Sequence, residues 1–218
     1  MRERKASIGF APCSERRSRV TRNLLIGSGN RDKAAELAAL LEGTPWTVKT
    51  LADLPPVEEP EETEETFEGN ALLKARYYGR RFSLACVADD SGIEVEALDG
   101  APGVYSARYA GEECTYDDNN RKLLDALADE DNRCARFVCC AAFVDVDGTE
   151  HVVRGTCEGM VADAPRGSNG FGYDPVFIPS GFEQTFGELH PLVKSGVSHR
   201  GEAFRKMGEY LTERIEAS

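Results

Sequence analysis

Four groups of residues have the types and spacing to do chemistry. Asp89 and Asp90 stand side by side after an apolar run and are followed by Ser91 and Gly92. Neighbouring carboxylates are costly to keep ionised unless water or a cation screens them. Their oxygens suit Mg²⁺, which keeps part of its shell for water and phosphate. The plain alternative is an Asp-rich turn. Ser28-Gly29-Asn30 lies between an apolar run and a helical pattern, with Arg31, Asp32 and Lys33 in the first helical turn. A helix start offers unpaired N–H groups and a positive dipole end, which suit phosphate. Gly29 lets an anion approach and Lys33 adds a cation, although the Walker pattern G-x-x-x-x-G-K-[ST] is absent. A plain strand–turn–helix connection also fits.

Gly170-Phe171-Gly172-Tyr173-Asp174-Pro175 sets an aromatic ring between two glycines, either exposed for stacking or buried in a tight turn. Lys194 precedes Ser198-His199-Arg200-Gly201. Cations at a helix start oppose its dipole, and a nearby anion or electron-rich base would relieve them. A structural hydrogen bond from His199 and a surface ion pair from Arg200 are the simpler readings. Each group has a bland explanation. Together they describe a phosphate cradle, a paired-acid metal site, an aromatic platform and a cationic cluster, which is a site for a nucleoside polyphosphate with Mg²⁺.

The elements that must hold these groups follow from periodicity. Residues 23–27 read as a buried strand, and 31–41 as a helix whose Ala34, Leu37, Ala38 and Leu41 recur at helical spacing. A second strand is expected at 47–51. Seven glutamates fall within residues 58–68, as a solvated loop or helix start. Thr66 is a plausible N-cap for a helix to about Phe82, with Ala71, Lys74, Ala75 and Tyr78 on one face. A strand at 84–88 runs into the acidic turn, and 93–98 alternates like another strand. Residues 100–111 read as a loop and 117–127 as a helix. Asp147-Gly148 is a hairpin signal between strands at 136–146 and 150–161. A strand at 176–178 and a last helix capped by Ser198 follow, the helix carrying Phe204, Met207, Leu211 and Ile215 on one stripe. The expected class is α/β, with a long mixed central sheet flanked by helices.

The 218 residues carry a net charge of −12. Residues 1–22 hold seven basic and two acidic side chains, so that segment is +5 and the remaining chain −17. The basic segment reads as a disordered leader, and residues 23–218 as one catalytic domain. An acidic body repels nucleic acid and anionic membranes, and neither is an expected partner. No apolar run approaches the roughly 20 residues of a membrane span. Seven cysteines without a C-x-x-C pair point to a reducing cytoplasm rather than to disulfides or zinc.

The conjunction of motifs resembles the inosine triphosphate pyrophosphatase (non-canonical purine nucleoside triphosphatase) family. It is carried by Ser28-Gly29-Asn30-x-x-Lys33-x-x-Glu36, Glu62-Thr63, Thr66-Phe67-x-x-Asn70-Ala71-x-x-Lys74-Ala75, Ala88-Asp89-Asp90-Ser91-Gly92, the run 100–108, Gly170 to Pro175, and Ser198 to Gly201. The resemblance implies hydrolysis of ITP, dITP and XTP to the monophosphate and pyrophosphate, a homodimer, and a cleft between two lobes. It implies the triphosphate on Ser28, Gly29, Asn30, Arg31, Asp32 and Lys33, and Mg²⁺ at Glu62 and Asp90. Asp90 is the implied general base and Ser91 a substrate contact. Phe171, Gly172, Tyr173, Asp174, Lys194, His199 and Arg200 are implied at the base. Lys74 and Arg108 match family positions, expected at phosphate and in the cleft structure. Gly69 departs from the pattern, standing where an acid is common, and Ser168-Asn169 replaces the usual Thr-Gly. Competing readings are a nucleotide sensor without turnover and a Maf-like pyrophosphatase for other modified nucleotides. A cysteine hydrolase pairing Cys139 or Cys140 with His151 is a third.

Overall fold

The structure, a computed structural model, describes residues 22–29, 31–41 and 44–216, and of these the side chains of 31–33, 36, 40, 215 and 216 are outside the description. The expected leader thus lies outside the described residues apart from Arg22, as do Asn30 and the side chain of Ile215.

Six strands form one sheet: β1 (Arg22–Ile26), β2 (Trp46–Thr50), β3 (Ala85–Val95), β4 (Cys134–Val144), β5 (Glu150–Val161) and β6 (Phe177–Pro179). Their order is β2-β1-β3-β4-β5-β6. β1 runs parallel to β2 and β3, and the remaining pairs are antiparallel, so the expected mixed sheet is present. The helices are α1 (Arg31–Leu40), α2 (Phe67–Phe82), α3 (Tyr116–Ala126), α4 (Pro191–Val197) and α5 (His199–Glu216).

α2 forms as its sequence demands. The Thr66 side chain accepts the Gly69 N–H at 3.0 Å, Glu68 faces the positive end, and Arg80 and Arg81 face the negative end. Ala71, Ala75 and Tyr78 are buried one turn apart, fixing the helix face that meets the sheet. α5 is capped by Ser198, whose Oγ accepts the Gly201 N–H at 3.1 Å, and it buries Phe204, Met207 and Leu211.

One expectation fails usefully. Residues 84–88 and 93–98 do not make two strands around an acidic turn. A single strand runs through Asp89-Asp90-Ser91-Gly92, paired with β4 from Cys86↔Val144 to Val95↔Ala135, and a 3₁₀ turn follows at Glu96–Leu98. Gly92 suggested a turn, but it marks a close approach. A Cβ there would meet the Gly103 carbonyl at 2.6 Å and the Phe67 ring at 2.9 Å. The residues expected as the loop 100–111 include a 3₁₀ turn, Gly103–Arg108, that packs on this bare face.

α2 and α5 cover opposite faces of the sheet. Val138, Cys140 and Ala142 of β4 pack with Ala71 and Ala75, while Cys139, Ala141 and Phe143 pack with Ala203 and Met207. A separate cluster (Ile93, Leu123, Phe137, Phe177 and Phe186 among them) makes a second lobe around β6 and α3. Residues of both lobes line the cleft between them.

No disulfide joins the cysteines among the described residues. Burial pushes the Cys86 thiol up to about 12 and the Cys140 and Cys157 thiols up to about 11. His151 stacks on Tyr210 at 3.7 Å and pairs with Phe143 in the sheet, three or more rungs from Cys139 and Cys140, which pair with Gly155 and Arg154. A thiol must lose its proton to react, so alkylation at neutral pH should label exposed Cys134 in the folded protein. Cys86, Cys140 and Cys157 should label only after unfolding. Mass spectrometry checks this, and native labelling of Cys86 as fast as Cys134 would contradict the packing.

Candidate active site

The cleft has a volume of about 600 Å³. At one end Lys74 Nζ lies 2.7 Å from Glu62 Oε1 and 2.9 Å from Asp90 Oδ1. Arg108 approaches the other oxygen of Glu62 at 3.8 Å. Three segments converge to make this bridge, β3 bringing Asp90. The third turn of α2 carries Lys74, and the acidic segment before it brings Glu62. Asn70, one turn earlier, locks them together: its Oδ1 accepts the Glu64 N–H at 3.0 Å and its Nδ2 reaches Asp90 at 3.4 Å. Gly69 permits that fold, since a Cβ there would meet Glu64 Cβ at 2.7 Å. The departure at position 69 therefore leaves Asn70 fully engaged.

Burial raises the Asp90 pKa, Lys74 pulls it down, and Glu62 pushes it up again. Burial alone would lower the Lys74 pKa, but the charges of Asp90, Glu62 and Asp89 overcome it and raise it, so the amine stays protonated. The site thus already holds one positive charge between two carboxylate oxygens. A hard cation fits the same donors. Among the described residues no three His, Cys, Asp or Glu side chains converge on one point, so water and phosphate oxygens would complete its shell.

Asp89 is not the partner of Asp90 that adjacency suggested. Successive strand residues face opposite sides of the sheet. Asp90 meets Lys74 under α2, whereas Asp89 Oδ2 lies 3.8 Å from Arg200 Nε under α5. The anion expected to relieve the cations at the start of α5 is therefore Asp89.

The other end is aromatic and cationic. Arg200 Cζ lies 5.3 Å and Lys194 Nζ 5.4 Å from the centre of the Phe171 ring. Asp174 Oδ2 accepts from Lys194 at 2.5 Å and from the Phe171 N–H at 2.7 Å. Gly170, at φ +76°, is required, because a Cβ would strike that carboxylate. Arg200 Nη2 donates to Ser91 Oγ at 3.2 Å, and the His199 ring stacks on Phe137 at 4.5 Å. Lys194 sits on α4, so the expected cluster at one helix start is divided between two helices.

Ser28, Gly29, Glu62, Asp90, Ser91, Phe171, Gly172, Tyr173, Asp174, Lys194, His199 and Arg200 all line this cleft. Asn30 and the side chains of Arg31, Asp32 and Lys33 lie outside the described residues, and the backbone of 31–33 forms the first turn of α1. Sequence reasoning missed Glu59, Tyr116 and Phe137, which also line it. The i, i+4 spacing of Asn70 and Lys74 on α2 is the available signal for their convergence on Asp90, whereas nothing local marks Tyr116 or Phe137.

Fold and cleft define an α/β protein with bridged carboxylates at one end of its cleft and an aromatic ring flanked by cations at the other. The chain belongs to the Ham1 family, whose family model matches residues 24–210. It is 48% identical over 184 residues to a dITP/XTP pyrophosphatase of Exiguobacterium sp. (strain ATCC BAA-1283 / AT1b), covering 84% of this chain and 94% of that one. It is 42% identical over 189 residues to the dITP/XTP pyrophosphatase of Flavobacterium johnsoniae, covering 87% and 97%. Among solved structures, the Staphylococcus aureus Ham1 protein superposes with a TM-score of 0.82 at 37% identity, covering 88% of this chain and 99% of that one.

Replacing Lys74 with Met should remove the cation between Glu62 and Asp90 and leave only Arg108 beside Glu62, at a cost of roughly 3–5 kcal/mol. The Asp90 pKa should rise further. A carboxyl whose folded pKa exceeds its unfolded value contributes stability below the unfolded pKa and loses it as pH rises through the folded one. The deficit against wild type should therefore shrink in acid and grow toward neutral pH. Urea midpoints across pH check this, and a pH-independent deficit would refute it.

Proposed function

We propose that this chain hydrolyses non-canonical purine nucleoside triphosphates (ITP, dITP and XTP) to the monophosphate and pyrophosphate, removing them from the nucleotide pool. The observation that carries the reading is the bipolar cleft. Glu62, Lys74 and Asp90 stand at one end, and Phe171 under Arg200 and Lys194 at the other. The relatives named as dITP/XTP pyrophosphatases support it. A sensor without turnover would not need Glu62 and Asp90 drawn together at the phosphate end. The Phe171 and His199-Arg200 end argues against a Maf-like substrate.

Release of pyrophosphate requires attack at the α-phosphorus. Asp90 is the proposed general base, orienting a water and accepting its proton; its raised pKa suits that task, and such help is worth about 10²–10⁴-fold. Lys74 and the Ser28-Gly29 turn, with Asn30 to Lys33 beyond it, would hold and neutralise phosphate oxygens, where charge stabilisation supplies much of an acceleration. Glu62 and Asp90 would hold Mg²⁺, which when bound neutralises phosphate and lowers the pKa of bound water. Phe171 would stack on the purine. Arg200 and a donating His199 would face the 6-keto oxygen, an acceptor, and meet adenine's 6-amino group badly. A homodimer and a cytoplasmic setting complete the proposal. None of the described helices is long and apolar enough to cross a membrane.

Asp90→Asn should fold with an unchanged circular dichroism spectrum and lose most turnover, and undiminished turnover would refute the role of Asp90. Pyrophosphate release from ITP should exceed that from ATP by well over about tenfold, given the donor–donor mismatch at position 6. It should vanish with EDTA and return with Mg²⁺. Equal rates on ITP and ATP would overturn the assignment of Arg200 and His199.

A further inference from the structure

Behind the aromatic end lies a buried asparagine with no part in the reading above. Asn120, on α3, is only 3% exposed and is not among the residues lining the cleft. Its Nδ2 donates to the Gly172 carbonyl at 3.0 Å, while its Oδ1 is buried with no hydrogen-bond partner among the described residues. An unsatisfied buried amide oxygen is destabilising, so an apolar side chain of similar shape would serve packing better.

The peptide link between Gly172 and Tyr173 gives this asparagine a task. That bond is trans, so its C=O and N–H point in opposite directions. By drawing the Gly172 carbonyl toward α3, Asn120 turns the Tyr173 N–H away from α3. Gly172 sits at φ +63°, a conformation that glycine adopts without strain. Tyr173 is 4% exposed and lines the cleft, and its N–H donates to no acceptor among the described residues. Buried backbone donors are almost always paired, so an unpaired one on a residue that lines a cleft calls for an acceptor on a ligand. The loop is held firmly enough to aim such a donor, since the Tyr173 hydroxyl donates to the Ser106 carbonyl at 2.9 Å.

We propose that Asn120 is a positioning residue for base selectivity: its hold on the Gly172 carbonyl aims the Tyr173 N–H at a keto oxygen of the bound purine. An exocyclic amino group in the same place meets it donor to donor. This rests on the nucleotide reading of the cleft and adds a donor that no side chain supplies.

The test compares wild type with Asn120→Leu, which keeps the volume, and Asn120→Asp, which keeps the shape but loses the donor when ionised. Pyrophosphate release from ITP and ATP is measured together with inhibition by inorganic tripolyphosphate, which probes the phosphate end alone. In both variants KM for ITP should rise about tenfold, the effect of one lost hydrogen bond, with kcat nearly unchanged. The preference for ITP over ATP should fall by a similar factor, and tripolyphosphate inhibition should stay as in wild type. Parallel weakening of ITP and tripolyphosphate would show a merely structural role and overturn the proposal. Unchanged ITP kinetics, or a fall in kcat alone, would also overturn it. Failure of wild type to hydrolyse ITP would overturn the nucleotide reading and this inference with it, whereas an active wild type with unaltered variants overturns only the role of Asn120.

Discussion

The alternation of side chains along β3 is the constraint on which the site depends. Because neighbouring strand residues face opposite ways, Asp89 and Asp90 are delivered to different helices. Asp90 meets Lys74 under α2, and Asp89 meets Arg200 under α5. Two helices on opposite faces of one sheet are thereby both tied to the same strand at consecutive residues. Ser91, the next residue, accepts from Arg200 and lies in the cleft between the two ends. A turn at this point, as the sequence suggests, would have broken that distribution. The unbroken pairing with β4 preserves it.

The charge of the chain takes on meaning through this arrangement. A body of −17 is an unpromising receptor for a triphosphate. Inside the cleft, however, Lys74, Arg108, Lys194 and Arg200 converge, and each is matched to a carboxylate: Glu62 and Asp90, Glu62, Asp174, and Asp89 respectively. The cations are held in place by these carboxylate partners. The interior offers positive groups that a single small anion can engage.

Much of the fold was legible because local rules and tertiary needs agree. Thr66 caps α2, Asp147-Gly148 closes the hairpin before β5, Ser198 starts α5, and the apolar stripes face the sheet. The misreadings share one cause. Gly92 looked like a turn because glycine usually loosens a strand, but it is there to admit the 3₁₀ turn at Gly103–Arg108, 11 or more residues downstream. Asp89 and Asp90 are adjacent in sequence but face opposite sides of the sheet. The carboxylate that shares a cation with Asp90 is that of Glu62, which comes from a segment without regular structure and has no periodicity to betray its position.

The sequence by itself determined the residue types, the strands and helices that carry them, and the family to which their order belongs. Those properties are local, set by capping, periodicity and turn chemistry within a few residues. Tertiary structure alone decided which carboxylates share a cation, that Lys194 and Arg200 flank Phe171 from different helices, and that Asn120 grips Gly172 from behind. Such pairings depend on strand register and helix docking, which are fixed by burial of the whole core. No window of sequence contains both partners, so the chemistry of the site is written along the chain but becomes readable only when the sheet brings its lines together.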